Sequence, residues 1–166
     1  MILGFDPGRD KCGLAVMEPP SRPDSSFHIA YAEVVSADDA IATVADLVAQ
    51  YPISLIVMGD QTLSKTWKHR VETFLAEQSS KGSSSKQRSK KTASIPVRMV
   101  DERYSTLEAR ERYWVLHPAQ GLVKFIPQSL RTIPRPIDDV VAIILIERYW
   151  RTLETPANDL SVSSVP

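Results

Sequence analysis

Met1-Ile2-Leu3-Gly4-Phe5-Asp6-Pro7-Gly8, followed by Gly13-Leu14-Ala15-Val16-Met17 and closed by Pro19-Pro20, is the stretch from which the fold follows. Two apolar runs flank an Asp-Pro-Gly turn, which predicts a pair of antiparallel strands. Phe27, Ile29 and Tyr31 then alternate with polar or small residues up to Val35, the period of a half-buried third strand, so a three-stranded meander is expected. At Ser36 the period changes. Ser36 and Asp39 stand in capping-box spacing, and Ile41, Val44, Leu47 and Val48 share one helical face until Pro52 ends the helix.

Leu55 to Met58 is a short apolar run, the pattern of a buried parallel strand reached by a crossover, and it ends at Gly59-Asp60. Val71, Phe74 and Leu75 support a short helix. Residues 79–94 hold seven serines and five basic residues and read as a flexible loop. Val97 to Val100 is a further buried strand, and Ser105 with Glu108 suggests a second capping box opening a helix through Trp114. Residues 117–136, with four prolines, read as a loop. Val140 to Trp150 is apolar nearly all round, as suits a helix packed into the body of the protein. The expected architecture is an α/β domain over residues 1–150, with a polar tail at 151–166. Its mixed five-stranded sheet, three antiparallel then two parallel strands, is flanked by helices, with the first strand central.

Composition narrows the function classes. The chain has 166 residues, 43% of them apolar, enough for one core of ordinary domain size. Twenty basic and 20 acidic residues give zero net charge, so any patch that meets a polyanion must be local. The single Cys12 precludes an internal disulfide and a cysteine zinc cluster, and a reducing cytoplasm is the expected compartment. No run is long and apolar enough for a membrane span, and no signal-like segment opens the chain.

Three acids carry the chemistry. Asp6 closes the first strand, Glu102 follows the last, and Asp138 opens the apolar final helix. If these element ends share one edge of the sheet, the carboxylates converge where open α/β sheets bind ligands. Carboxylates without His or Cys suit Mg²⁺ or Mn²⁺, and paired ions of this kind can serve in-line phosphodiester hydrolysis. Each acid taken alone has an ordinary reading: Asp6 as a turn residue, Asp138 or Asp139 as a helix cap, Glu102 as part of a solvated charge cluster. Asp60, at the end of a central strand, rivals Glu102. The three histidines have no spaced partners and read as surface or structural residues. Trp67, beside Lys65, Lys68, His69 and Arg70, could stack a base or simply open an amphipathic helix.

The opening segment Ile2 to Gly8 with Gly13-Leu14-Ala15-Val16 resembles the first hairpin of RNase H-like nucleases of the YqgF (RuvX-like) and RuvC resolvase families. Val100-Asp101-Glu102-Arg103-Tyr104-Ser105-Thr106-Leu107-Glu108-Ala109 looks like the YqgF signature. Ile137-Asp138, with Ala142 and the apolar run to Tyr149, is similar to the family's last catalytic helix. The resemblance implies an RNase H-like fold and a Mg²⁺- or Mn²⁺-dependent nuclease in which Asp6, Glu102 and Asp138 bind the metal. It further implies that Arg103 orients a carboxylate or phosphate and that Thr106 caps the helix beside the site. The substrate implied is a Holliday junction or precursor ribosomal RNA. The chain departs from the family after Gly59, where Asp60-Gln61-Thr62 replaces the usual Leu-Pro, and at Val141, where the family usually has Ala.

Further nucleic-acid contacts are expected from Lys86, Arg88, Lys90 and Lys91 in the basic serine-rich loop. The protein should act as a monomer or weak homodimer with no membrane partner. A competing reading keeps the fold as a catalytically weak nucleic-acid-binding module. Phosphotransfer of the sugar-kinase kind needs two such halves, and this chain supplies one.

Overall fold

The computed structural model describes residues 1–20, 26–61, 63–81 and 95–154. Five strands form one sheet in the order β3-β2-β1-β4-β5. β1 (Ile2–Asp6) pairs antiparallel with β2 (Lys11–Glu18), which pairs antiparallel with β3 (His28–Ser36). On its other side β1 pairs parallel with β4 (Leu55–Gly59), and β4 pairs parallel with β5 (Val97–Val100). This is the expected mixed sheet, with β1 central and buried along its whole length.

Strand alternation divides the core in two. Leu3, Phe5, Leu14, Val16, Ile56 and Met58 face α1 (Ala40–Gln50) and α2 (Ser64–Lys81). Ile2, Ala15, Met17 and Val57 face α3 (Ser105–Leu116) and α4 (Asp138–Glu154). From Val140 to Ile146 every residue of α4 is buried, which accounts for a helix apolar nearly all round. Gly4 makes that packing possible: a Cβ there would run into the Ala142 carbonyl and the Ile146 side chain.

Several local expectations need correction. α2 is not short. It continues to Lys81, so residues 79–81 are helical, and only 82–94 of the expected loop fall outside the described residues. Lys86, Arg88, Lys90 and Lys91 lie outside them too. α4 runs to Glu154, so the tail expected from 151 begins no earlier than 155. The 117–136 connection contains two 3-10 turns, Gly121–Phe125 and Gln128–Leu130. The first expected capping box does not cap α1: Ser36 Oγ accepts the Asp39 N–H at 3.1 Å and donates to its carboxylate at 2.7 Å, but Ser36 ends β3 and the N-cap is Asp39, so the pair closes the turn ahead of the helix.

The second box does not form. Ser105 is already helical and buried, and Glu108 instead accepts two bonds from Arg148 at 2.8 and 3.1 Å. Thr106 makes no capping bond either. Trp67 offers no exposed ring to a base: it is buried, packs against Phe5 at 5.3 Å between centroids, and donates Nε1 to the Gly8 carbonyl at 3.2 Å. Cys12 is a free, buried cysteine.

Candidate active site

Asp6 ends the central strand on the α3/α4 side of the sheet, and both of its sheet neighbours are glycines. Across the antiparallel pair it stands opposite Gly13. On the parallel side Phe5 is level with Met58, which puts Asp6 level with Gly59. Each glycine leaves room for one of the other acids. A Cβ on Gly13 would overlap the backbone of Asp138, and a Cβ on Gly59 would overlap the carboxylate of Glu102. Sheet register thus brings Asp6, Glu102 and Asp138 to one edge, two of them over glycine floors.

Asp6 and Glu102 are both buried, and their side chains hydrogen-bond to each other. Burial, the Glu102 hydrogen bond and the charges of Glu102 and Asp138 raise the Asp6 carboxyl from its ordinary 3.8 to about 9, so Asp6 carries a proton at neutral pH. Glu102 Oε2 is buried without a hydrogen-bond partner among the described residues. A buried orphan carboxylate oxygen is costly unless a cation or donor meets it.

Asp138 is turned outward to Lys11, 3.9 Å away. Accordingly, no three His, Cys, Asp or Glu side chains form a ready-made metal cage among the described residues. The donor set nevertheless fits a hard divalent cation: carboxylate oxygens only, one of them orphaned, with mutual repulsion that an ion would relieve. The Lys11 contact is long and half-exposed, so little opposes the return of Asp138 toward Asp6. Asp139 has a different job. It is buried in a bidentate pair with Arg135, both bonds 2.9 Å, which separates the two adjacent acids that sequence alone left as alternatives.

The main chain around Glu102 is held from two directions. From the end of β4, Asp60 Oδ1 accepts the Glu102 N–H at 3.2 Å, placing Asp60 behind Glu102. From α4, Arg148 Nη1 donates to the carbonyls of Asp101 at 2.7 Å and Arg103 at 3.0 Å. Tyr104, the next residue, is left-handed at φ 61°. Arg103 is exposed, and the carboxylate it orients is that of Asp101, gripped through Nε and Nη2 at 2.8–3.1 Å. That grip pulls the Asp101 carboxyl down to about 2. Sequence reasoning missed Arg148 altogether, because its partners are more than 40 residues away. A groove of about 790 Å³ on the outer side of α3, lined by Leu107, Glu111, Val115 and Arg131 among others, contains none of the three acids.

A buried acid pair, one at the C-terminal end of the central strand β1 and one just past that of the edge strand β5, with a third acid opening the last helix, agrees with the comparison to known families. A family model described as RuvX, Holliday junction resolvase, matches residues 1–151. The chain belongs to the RuvX family. Among solved structures, this RuvX-family chain is similar to Thermus thermophilus RuvC, with a TM-score of 0.52 and 16% identity over 93% of this chain and 96% of that one. It is also similar to the fowlpox virus Holliday junction resolvase, with a TM-score of 0.57 and 11% identity over 92% of this chain and 98% of the other. The same viral resolvase in complex with Holliday junction DNA aligns with a TM-score of 0.55. No curated protein matches the chain. At these identities the structural likeness is one of fold: an RNase H-like, resolvase-like nuclease fold.

Proposed function

We propose that this chain is a divalent-metal-dependent nuclease of the cytoplasm that hydrolyses phosphodiester bonds in structured nucleic acid, either a four-way DNA junction or precursor ribosomal RNA. The observation that carries this reading is the buried Asp6–Glu102 pair with its orphan Glu102 oxygen, set at the sheet edge where α4 presents Asp138. Membership of the resolvase family and the junction DNA bound by a solved relative support it.

Asp6, Glu102 and Asp138 would hold Mg²⁺ or Mn²⁺. When bound, the ion neutralises the scissile phosphate and makes the attacking water more acidic. The chain's own residues do the rest. Asp6 and Glu102 would offer their carboxylates to the ion, Asp60 and Arg148 keep the Glu102 peptide fixed, and Lys11 balances the charge of Asp138. Pre-fixed donors lose little entropy on engaging the reacting groups. Arg103 and the basic residues Lys86, Arg88, Lys90 and Lys91 would contact backbone phosphates, with the protein acting as a monomer or weak homodimer.

A second reading, a nucleic-acid-binding module with little turnover, is favoured by the outward position of Asp138. One assay separates the two. Mg²⁺-dependent cleavage of a four-way DNA junction and of a precursor rRNA end is compared, with Asp6→Asn as the blank. Cleavage of either substrate by wild type only supports the nuclease, and the substrate cut identifies the role. Binding without cleavage on both supports the module.

A further inference from the structure

Tyr104 combines three properties that rarely meet. Its side chain is almost wholly in solvent, 82% exposed. Its backbone is left-handed, φ 61° and ψ 6°, a conformation that glycine adopts freely and a bulky side chain adopts only under strain. It lies two residues from Glu102, on the turn that carries this acid. Among the described residues its ring meets no aromatic or cationic partner and its hydroxyl makes no hydrogen bond, so no fold contact accounts for an aromatic here.

The surroundings force the strain rather than relieve it. Arg148 holds the carbonyls on either side of Glu102, and the Tyr104 carbonyl accepts the N–H groups of Leu107 and Glu108. On this turn, pinned at both ends, Glu102 is buried and the Tyr104 ring is exposed. Strained residues held by their surroundings concentrate at functional sites. An exposed ring next to a phosphodiester-cleaving centre offers a face on which a nucleobase can stack. The neighbouring Arg103 side chain, 81% exposed, lies at the same surface in its ion pair with Asp101.

We propose that Tyr104 is a stacking platform for the base of a nucleotide next to the scissile phosphate. This rests on the nuclease reading and narrows it. A base inside an intact duplex has both faces covered, so the substrate must present an unstacked nucleotide at the cleavage position, as a branch point or single-stranded end does. Tyr104 therefore selects branched or single-stranded nucleic acid over plain duplex.

The test uses the full chain in an Asp6→Asn background, so that cleavage does not confuse binding. Tyr104, Tyr104→Phe and Tyr104→Gly versions are titrated in Mg²⁺ with a single-stranded oligonucleotide carrying a fluorescent adenine analogue and with its duplex, and each protein is melted. Phe should bind and quench like Tyr. Gly should lose about 5- to 100-fold in single-strand affinity, with the quench, while melting no lower than its parent because the left-handed strain is gone. Equal single-strand affinity for Tyr and Gly overturns the proposal, as does a Phe version as weak as Gly. If the Tyr104 parent binds neither nucleic acid, the nuclease reading falls with it. If it binds and quenches yet wild type never cleaves, stacking stands and only catalysis is lost.

Discussion

The carboxylate of Glu102 lies where a side chain on Gly59 would begin, directly beside Asp6 on the neighbouring strand. Gly13 stands in the same relation to Asp138, except that what covers it is main chain. The two glycines should therefore respond differently to the same small change. In Gly59→Ala the obstructing atoms end a flexible side chain, so stability should fall by less than about 1.5 kcal/mol while the Mn²⁺-induced rise in Tm is largely lost. In Gly13→Ala the helix backbone itself must move, at a cost of about 1–3 kcal/mol or more. Thermal melts with and without Mn²⁺ check both, and equal behaviour of the two variants would contradict the packing described.

Arg148 should act on the site without touching it. Arg148→Met removes the bonds to the Asp101 and Arg103 carbonyls and should weaken Mn²⁺ binding about 10- to 100-fold, in the manner of lost outer-shell support. Glu108→Gln weakens the ion pair while sparing those carbonyl bonds, so it should change Mn²⁺ affinity far less. Isothermal titration with Mn²⁺ alone separates the two. Equal losses in both variants would mean that the α3–α4 ion pair, rather than the grip on the Glu102 turn, is what matters.

Asp60 is expected to matter through the bond it accepts. Asp60→Asn keeps an oxygen for the Glu102 N–H and should retain most of the metal response, whereas Asp60→Ala should lose much of it. Glu102→Gln should be more damaging than either. If Asp60→Asn proved as damaging as Glu102→Gln, Asp60 would be the second metal-binding acid.

The metal-free protein should lose stability as pH rises. In the unfolded chain Asp6 ionises near pH 4, while in the fold it keeps its proton until about pH 9, so between these values the folded state holds a proton that the unfolded state has released. The stability is fully present below the unfolded pKa and is lost as pH rises across that window. Asp6→Asn should flatten this dependence and melt higher than wild type at pH 8 in a chelator. Denaturant unfolding at several pH values checks the slope, which a stability rising with pH would contradict.

Most of the sheet is legible in the sequence because each strand announces itself locally, as apolar runs at Ile2–Phe5 and Leu55–Met58 or as alternation from Phe27 to Val35. The acids at the ends of these elements are legible for the same reason. What escapes is set by register and by distant partners. Nothing near Gly13 or Gly59 says that Asp138 and Glu102 will lie over them. Glu108 looks like Ser105's capping partner until α4 brings Arg148 to it, 40 residues along the chain. Trp67 resembles an exposed stacking residue until the Asp6-Pro7-Gly8 turn supplies its hydrogen-bond acceptor. The end of α2, Glu77 to Lys81, has only polar residues and so lacks the apolar period that marks a helix.

The most direct measurement of the three-acid site is a Mn²⁺ titration of wild type, Asp6→Asn, Glu102→Gln and Asp138→Asn, followed by calorimetry and by the change in Tm. Wild type should bind and melt higher with Mn²⁺, and each single variant should lose most of both effects, because three carboxylates serve one ion or ion pair. Equal binding and equal stabilisation in all four proteins would place the metal elsewhere and contradict the site at Asp6, Glu102 and Asp138.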